Sequence, residues 1–179
     1  MAGWVQLSRE VVHEGPFLTL YRDKVVQPGE GGTGFYEHVS VDDAVRVVAL
    51  DDHGQVAIVE DDFYLQHRRV PHLPGGGTAG EEPHQAARRE LEEETGVFAG
   101  ALHQLGVIDP LPATTSARTY LFLATDLRPG QLRRDATEIG MTVAWIPLAD
   151  AVDAVQSGRI TEAGSVTALL LAQVRRCPE

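Results

Sequence analysis

Lysine is almost missing from this chain: Lys24 stands alone against fourteen arginines, and 26 acidic residues bring the net charge to −11. A protein that grips a nucleic-acid backbone needs a basic face to displace counterions, so that class of partner is excluded. Small phosphorylated substrates remain open, provided a metal ion supplies the local positive charge. Cysteine is equally scarce. Cys177, near the C-terminal end, is the only one, which rules out an intrachain disulfide framework and a cysteine-based zinc site. Long apolar runs are absent too. No stretch approaches the roughly 18 residues a membrane span requires, and the opening "MAGWVQLSRE" lacks the apolar core of a secretory signal. The expectation is a cytoplasmic protein with neither membrane nor nucleic acid as partner.

Apolar residues make up 43% of the 179 and charged residues 23%, the balance of a folded domain with one substantial core. The Gly-rich "QPGEGGTG" (27–34) is a candidate joint after strand-like "FLTLYRDKVV" (17–26). The division expected is an N-terminal strand segment, 1–40, serving dimerisation or the substrate side, and a main domain, 41–179. "AVRVVAL" (44–50) and "QVAIVE" (55–60) flank the turn-rich "DDHG" and predict a hairpin. "QLGVID" (104–109), "TYLFLAT" (119–125) and "MTVAWI" (141–146) are further strands. "PLADAVDAVQSG" (147–158) and "SVTALLLAQVRR" (165–176) carry apolar residues at helical spacing. Strands and helices interleave without strict alternation, which predicts an α/β fold with a mixed sheet and helices on both faces. Six histidines (His13, His38, His53, His67, His84 and His103) share no metal-ligating spacing and are read as surface or loop residues.

The most informative stretch is "GGGTAGEEPHQAARRELEEETGV" (75–97). Pro83 suits a first helical turn and Gly96 a left-handed C-terminal cap. Between them Glu90, Glu93 and Glu94 stand at i, i+3 and i+4, on one helical face, although like charges so spaced cost about 0.2–0.5 kcal/mol per pair. An acidic run alone is usually a solvated helix face. Three convergent carboxylates also form the oxygen-rich site that Mg²⁺ or Mn²⁺ requires, with Glu81 at the loop–helix junction as a fourth donor. Arg89, four residues before Glu93, can hold a carboxylate in place.

Taken whole, the stretch runs Gly75, five residues, Glu81, seven residues, Arg89-Glu90-Leu91, one residue, Glu93-Glu94, one residue, Gly96-Val97. It resembles the Nudix box at each fixed position. The resemblance implies an α/β/α sandwich and metal-dependent hydrolysis of a nucleoside diphosphate linked to another moiety. It also implies that Glu90, Glu93 and Glu94 ligate Mg²⁺ or Mn²⁺, with Glu81 as a further ligand and Arg89 orienting a box carboxylate. Gly75 and Gly76 shape the loop that substrate approaches. Pro112, fifteen residues after Val97, and the surrounding "DPLPATTSARTYLFLA" resemble the ADP-ribose pyrophosphatase group, as does the stretch 135–172. That likeness implies ADP-ribose as substrate and a homodimer packed through the N-terminal strands.

The chain departs from that group's pattern at three places. Asp61, Asp62 and Phe63 stand where a Gln-Tyr-Arg motif is usual, His72 where glutamate is usual, and Ala117 in place of a loop glutamate. Arg68 or Arg69, and Arg118 beside Ala117, are the candidates for the phosphate contacts, and Trp4, Phe17 and Tyr36 for a base platform. The general base implied is Glu138, directly before "MTVAWI", with Asp135 or a box glutamate as alternatives. A nucleotide sugar, a CDP-alcohol, another dinucleotide, or a non-catalytic nucleotide-sensing module remain the other readings.

Overall fold

A computed structural model describes residues 3–29, 31–130 and 140–176. The chain divides into two compact units, residues 1–42 with 111–117, and residues 43–110 with 118–179.

The first unit is an antiparallel meander, β1 (Val5–Glu14), β2 (Thr19–Val26) and β3 (Thr33–Ser40), in that spatial order. β2 and β3 pair without interruption from Thr19↔Ser40 to Val26↔Thr33. The Gly-rich stretch expected to be a joint is therefore the tip of a hairpin. Gln27 N–H donates to the Gly32 carbonyl, and Gly29 adopts φ 71°, the left-handed region such a tip exploits. Composition alone cannot separate a linker from a tight turn, because glycine serves both. The segment 111–117 joins this unit through Val39 N–H to the Thr114 carbonyl and the Tyr36 hydroxyl to the Ala113 carbonyl.

The second unit contains two three-stranded sheets. One is ordered β4 (Ala44–Ala49), β8 (Thr119–Pro129), β7 (Val97–Ile108), with β4 parallel and β7 antiparallel to β8. The other is antiparallel, ordered β6 (Arg68–His72), β5 (Gln55–Phe63), β9 (Thr142–Pro147). The pairing is mixed, as expected, but the predicted β4–β5 hairpin is overturned. The turn forms: the Asp51 carboxylate accepts from the backbone N–H of His53 and Gln55, and Gly54 sits at φ 77°. Beyond a single Leu50↔Val56 bridge the strands then part into different sheets. β4 takes its hydrogen bonds elsewhere, from β8 on one edge and on the other from the chain at 74–77, whose Pro74 and Gly76 carbonyls accept from Val47 and Val45.

Strand alternation then builds two cores. Val45, Val47 and Ala49 of β4 and Ala57 of β5 face Ala86, Ala87 and Leu91 of α1 (Pro83–Thr95). Val48, Leu50, Val56 and Ile58 face the other way, toward Ala151 of α2 (Leu148–Gln156) and Ala168 and Leu169 of α3 (Ala163–Arg176). A period of two along each strand puts successive side chains on opposite faces, and both faces are covered by helix. The result is an α/β/α sandwich. Leu91 is fully buried, so truncating it to alanine should cost about 2–5 kcal/mol.

Candidate functional site

The α1 helix begins at Pro83 and ends at Gly96, which adopts φ 69° and donates its N–H to the Glu92 carbonyl. Its buried stripe is Ala86, Ala87, Glu90, Leu91 and Glu94. Two of those five are carboxylates, at positions where a helix of this kind normally carries apolar residues. Burying a charge is costly unless it is paired and hydrogen-bonded, so the partners of Glu90 and Glu94 decide whether the helix can sit there.

The glycine-rich loop supplies part of the answer. Held against β4 by the Val45 and Val47 N–H groups, it donates the Gly75 N–H to Glu94 Oε2 at 2.9 Å. Gly75 has φ 141°, and a Cβ there would lie 2.1 Å from the Val45 carbonyl oxygen, so no other residue fits. A Cβ on Gly76 would lie 2.7 Å from Glu90 Oε1. The missing side chain is what lets the carboxylate approach the loop.

Arg89 supplies the rest. Its Nε donates to Glu81 Oε2 at 3.0 Å, and its Nη1 to Glu90 Oε1 at 2.8 Å and to Glu93 Oε2 at 2.9 Å. Its Nη2 reaches the Gly77 carbonyl at 3.2 Å. One guanidinium thus gathers three carboxylates and ties them to the loop. Burial works against the Arg89 charge, but Glu81, Glu93 and Glu90 outweigh it and raise its pKa further above its already high value. Glu90 and Glu94 are nearly buried, whereas the Glu93 side chain is about one-third exposed and Glu81 slightly more so, leaving two carboxylates of the cluster open to solvent. Among the described residues no three acidic, histidine or cysteine side chains stand in metal-ligating geometry; Glu81, Glu90 and Glu93 are instead each paired with Arg89.

Residues 41–167 match the NUDIX domain. The chain belongs to the Nudix family of pyrophosphohydrolases. Residues 4–39 match a second family, the nucleoside diphosphate sugar hydrolase N-terminal domain. The Nudix chain is 36% identical over 167 residues to an ADP-ribose pyrophosphatase of Mycobacterium tuberculosis, covering 92% of this chain and 80% of that one. It is 29% identical over 171 residues to an ADP-ribose pyrophosphatase of Bacillus subtilis, covering 94% and 92%. A crystal structure of an ADP compounds hydrolase superposes with a TM-score of 0.87 at 25% identity, over 98% of this chain and 95% of that one.

The box residues Gly75, Gly76, Glu81, Arg89, Glu90, Glu93 and Glu94 come together around one loop and one helix turn. The other described candidates of this Nudix chain stand on other segments. Arg68 is exposed and donates to the Thr161 hydroxyl, in a cavity on the α2 side of β5 and β6, whereas α1 covers the opposite face. Arg118 is exposed, its guanidinium 3.8 Å from Asp109 while its backbone N–H is held by Asp43. Pro112 is exposed within the N-terminal unit, where Trp4 meets Tyr36 edge-on at 5.5 Å between centroids. Glu138 and Asp135 lie outside the described residues. In the described segments no helix is long and apolar enough to cross a membrane.

Sequence reasoning overlooked three features of this Nudix fold. His38 is no loop residue: it sits on β3, 3.2 Å from the buried Asp23 and stacked on Tyr21. Asp23 also takes a bidentate contact from Arg9, which holds its pKa down at about 2. His72 is buried, its Nδ1 2.9 Å from the Leu73 carbonyl and its Nε2 without a hydrogen-bond partner among the described residues; burial pushes its pKa down. Finally, Ser165 Oγ accepts from Leu73 N–H at 2.8 Å and donates to Glu162, which Arg46 also contacts. That chain of contacts anchors the start of the glycine loop to the N-terminus of α3. The Leu73–Ser165 and Arg46–Glu162 contacts join residues 92 and 116 positions apart, so no local pattern in the sequence signals them.

Proposed function

We propose that this chain hydrolyses the pyrophosphate linkage of ADP-ribose to AMP and ribose 5-phosphate, using Mg²⁺ or Mn²⁺ held by Glu90, Glu93 and Glu94, with Glu81 as a further ligand. The observation that carries this reading is the Arg89 clamp, which gathers Glu81, Glu90 and Glu93 beside a loop whose Gly75 and Gly76 leave no space for a Cβ. The donor set fits such an ion: every donor is a carboxylate oxygen, and two of the four residues are nearly buried. When bound, the ion neutralises phosphate charge and acidifies water.

The chain's own residues do the remaining work. Arg89 is a positioning residue that keeps the carboxylates in register without touching substrate. Gly75 gives its N–H to Glu94, and Gly76, lacking a Cβ, leaves room for Glu90. Glu138 accepts the proton of the attacking water, with Glu93 as the alternative within the box. Arg118 and Pro112 contact substrate, and Trp4 and Tyr36, which with Pro112 line a cavity of about 460 Å³, offer a surface for the base. Exposed Leu7, Val11, Phe17 and Phe35 on the N-terminal unit support assembly as a homodimer.

A second reading rests on the N-terminal match to nucleoside diphosphate sugar hydrolases: a nucleotide sugar as substrate. Phosphate release after phosphatase coupling, measured with ADP-ribose, nucleotide sugars, CDP-alcohols and dinucleotides under Mg²⁺ and under Mn²⁺, separates the readings. ADP-ribose should give the highest kcat/KM. A nucleotide sugar turned over faster would replace it, and no turnover of any compound would leave a sensing module.

A further inference from the structure

A cavity of about 550 Å³ lies on the α2 side of the sheet formed by β6, β5 and β9, within the second unit. Its floor is apolar, from Ile58, Pro71, Ile146 and Ile160, residues of or next to the core under α2 and α3. The box helix packs on the other face of the same strands, against Ala57, Val143 and Trp145. The cavity is therefore separated from the box carboxylates by the thickness of the sheet.

Its charge is unlike that of the rest of the molecule. In a chain of net charge −11, the lining carries Arg68, Arg69 and Arg159 against one carboxylate, Glu60. Arg69 already faces Glu60 at 3.7 Å and Asp62 at 3.5 Å, and also donates to the Glu60 and Gly140 carbonyls. Arg68 has no carboxylate partner among the described residues: it donates to the Thr161 hydroxyl and the Arg69 carbonyl. Arg159 makes no side-chain hydrogen bond or ion pair among them. Its backbone is fixed all the same, by its N–H to the Ala154 carbonyl after the turn at Gly158, φ 73°. Two guanidiniums thus line an apolar hollow with no carboxylate partner among the described residues.

We propose that this cavity binds an organic phosphate monoester, its phosphate between Arg68 and Arg159 and its body on the Ile58–Ile146–Ile160 floor. A monoester carries about −1.5 to −2 charges at neutral pH, which matches two guanidiniums that have no carboxylate partner among the described residues, and the planar fork of arginine suits phosphate oxygens. The volume lies within the range of about 300–1,000 Å³ typical of small-molecule sites. The proposal stands apart from the box chemistry. The monoester has two possible sources, the sugar phosphate or nucleotide released by hydrolysis, or a phosphorylated compound from elsewhere.

Calorimetric titration of the full chain in excess EDTA tests this, since metal-dependent binding at the box is then suppressed. The probes are AMP, ribose 5-phosphate, glucose 6-phosphate and inorganic phosphate. Saturable binding of at least one monoester, tighter than inorganic phosphate, is expected; preference for AMP or ribose 5-phosphate over glucose 6-phosphate identifies a product site, the reverse an unrelated ligand. Arg159→Ala, which removes an exposed side chain that makes no hydrogen bond or ion pair among the described residues, should weaken binding about 10- to 100-fold, the loss expected of one charge-assisted hydrogen bond. Arg159→Lys should restore part of it. Glu93→Gln should leave it unchanged while affecting turnover, so failure here and failure of the hydrolase reading are distinguishable. No saturable binding, equal binding of inorganic phosphate, indifference to Arg159→Ala, or loss in Glu93→Gln would each overturn the assignment.

Discussion

Replacing Gly76 by alanine would separate the loop's role in the site from its role in the fold. The new Cβ would sit 2.7 Å from Glu90 Oε1 and 2.9 Å from Oε2, whereas ordinary contact begins near 3.4 Å. The difference, 3.4 − 2.7, is about 0.7 Å, and it falls on the end of a flexible side chain. The backbone at Gly76 is not in the left-handed region, so alanine brings no conformational strain of its own. Crowding in a packed site costs roughly 1–3 kcal/mol, offset by about 0.4–1 kcal/mol from a less flexible unfolded chain. The net loss should be about 1 kcal/mol, a fall in Tm of roughly 2–4 °C. Activity should suffer far more. Functional groups tolerate displacements of about 0.5 Å, and a shift near 1 Å can cost about 100-fold. We expect the Mg²⁺ concentration for half-maximal rate to rise at least about tenfold, and kcat at saturating metal to fall about 10- to 100-fold. Metal titrations of rate, with parallel thermal melts, measure both. Wild-type metal dependence in a folded Gly76→Ala protein would refute the placement of Glu90 in the metal site. Gly75→Ala is the contrasting control: its Cβ would strike the Val45 carbonyl, so it should lose the fold itself.

Glu93→Gln should keep the fold and lower turnover by orders of magnitude, whereas Glu138→Gln should lower kcat with metal and substrate affinity nearly unchanged and remove the acid limb of the kcat–pH profile. If only the box variant loses turnover, the base lies inside the box. Light scattering at micromolar concentration should give a dimer, and deletion of residues 1–40 a monomer or an insoluble chain; a monomeric full-length protein would refute that assembly. Burial raises the pKa of Glu162, but Arg46 and the Ser165 and Gly164 contacts prevail and hold it at about 2, down from 4.5. A depressed carboxylate stabilises the fold fully above its unfolded pKa and loses that contribution as pH falls toward the folded one. Glu162→Gln should therefore cost roughly 2–3 kcal/mol at pH 7 and almost nothing near pH 2 in urea melts. An equal loss at both pH values would show that packing, not charge, sustains the contact.

What the sequence determined by itself is the local part of this protein. The spacing of Glu90, Glu93 and Glu94, the proline at the start of α1 and the glycine at its end all act within one helix, whose period is set by backbone geometry. The family follows from the same short stretch. Only the tertiary structure decided that Glu90 and Glu94 turn inward while Glu93 stays partly exposed, because that depends on where β4 and the glycine loop lie. It also decided that β4 pairs with β8 and the loop instead of with β5. A strand's N–H and C=O groups accept any edge that fits, so its partner is chosen by the burial of both faces, not by the turn that follows it. The same holds for Arg68 and Arg159, 91 positions apart in the chain and brought to one cavity by the crossing of a hairpin with the α2–α3 connection.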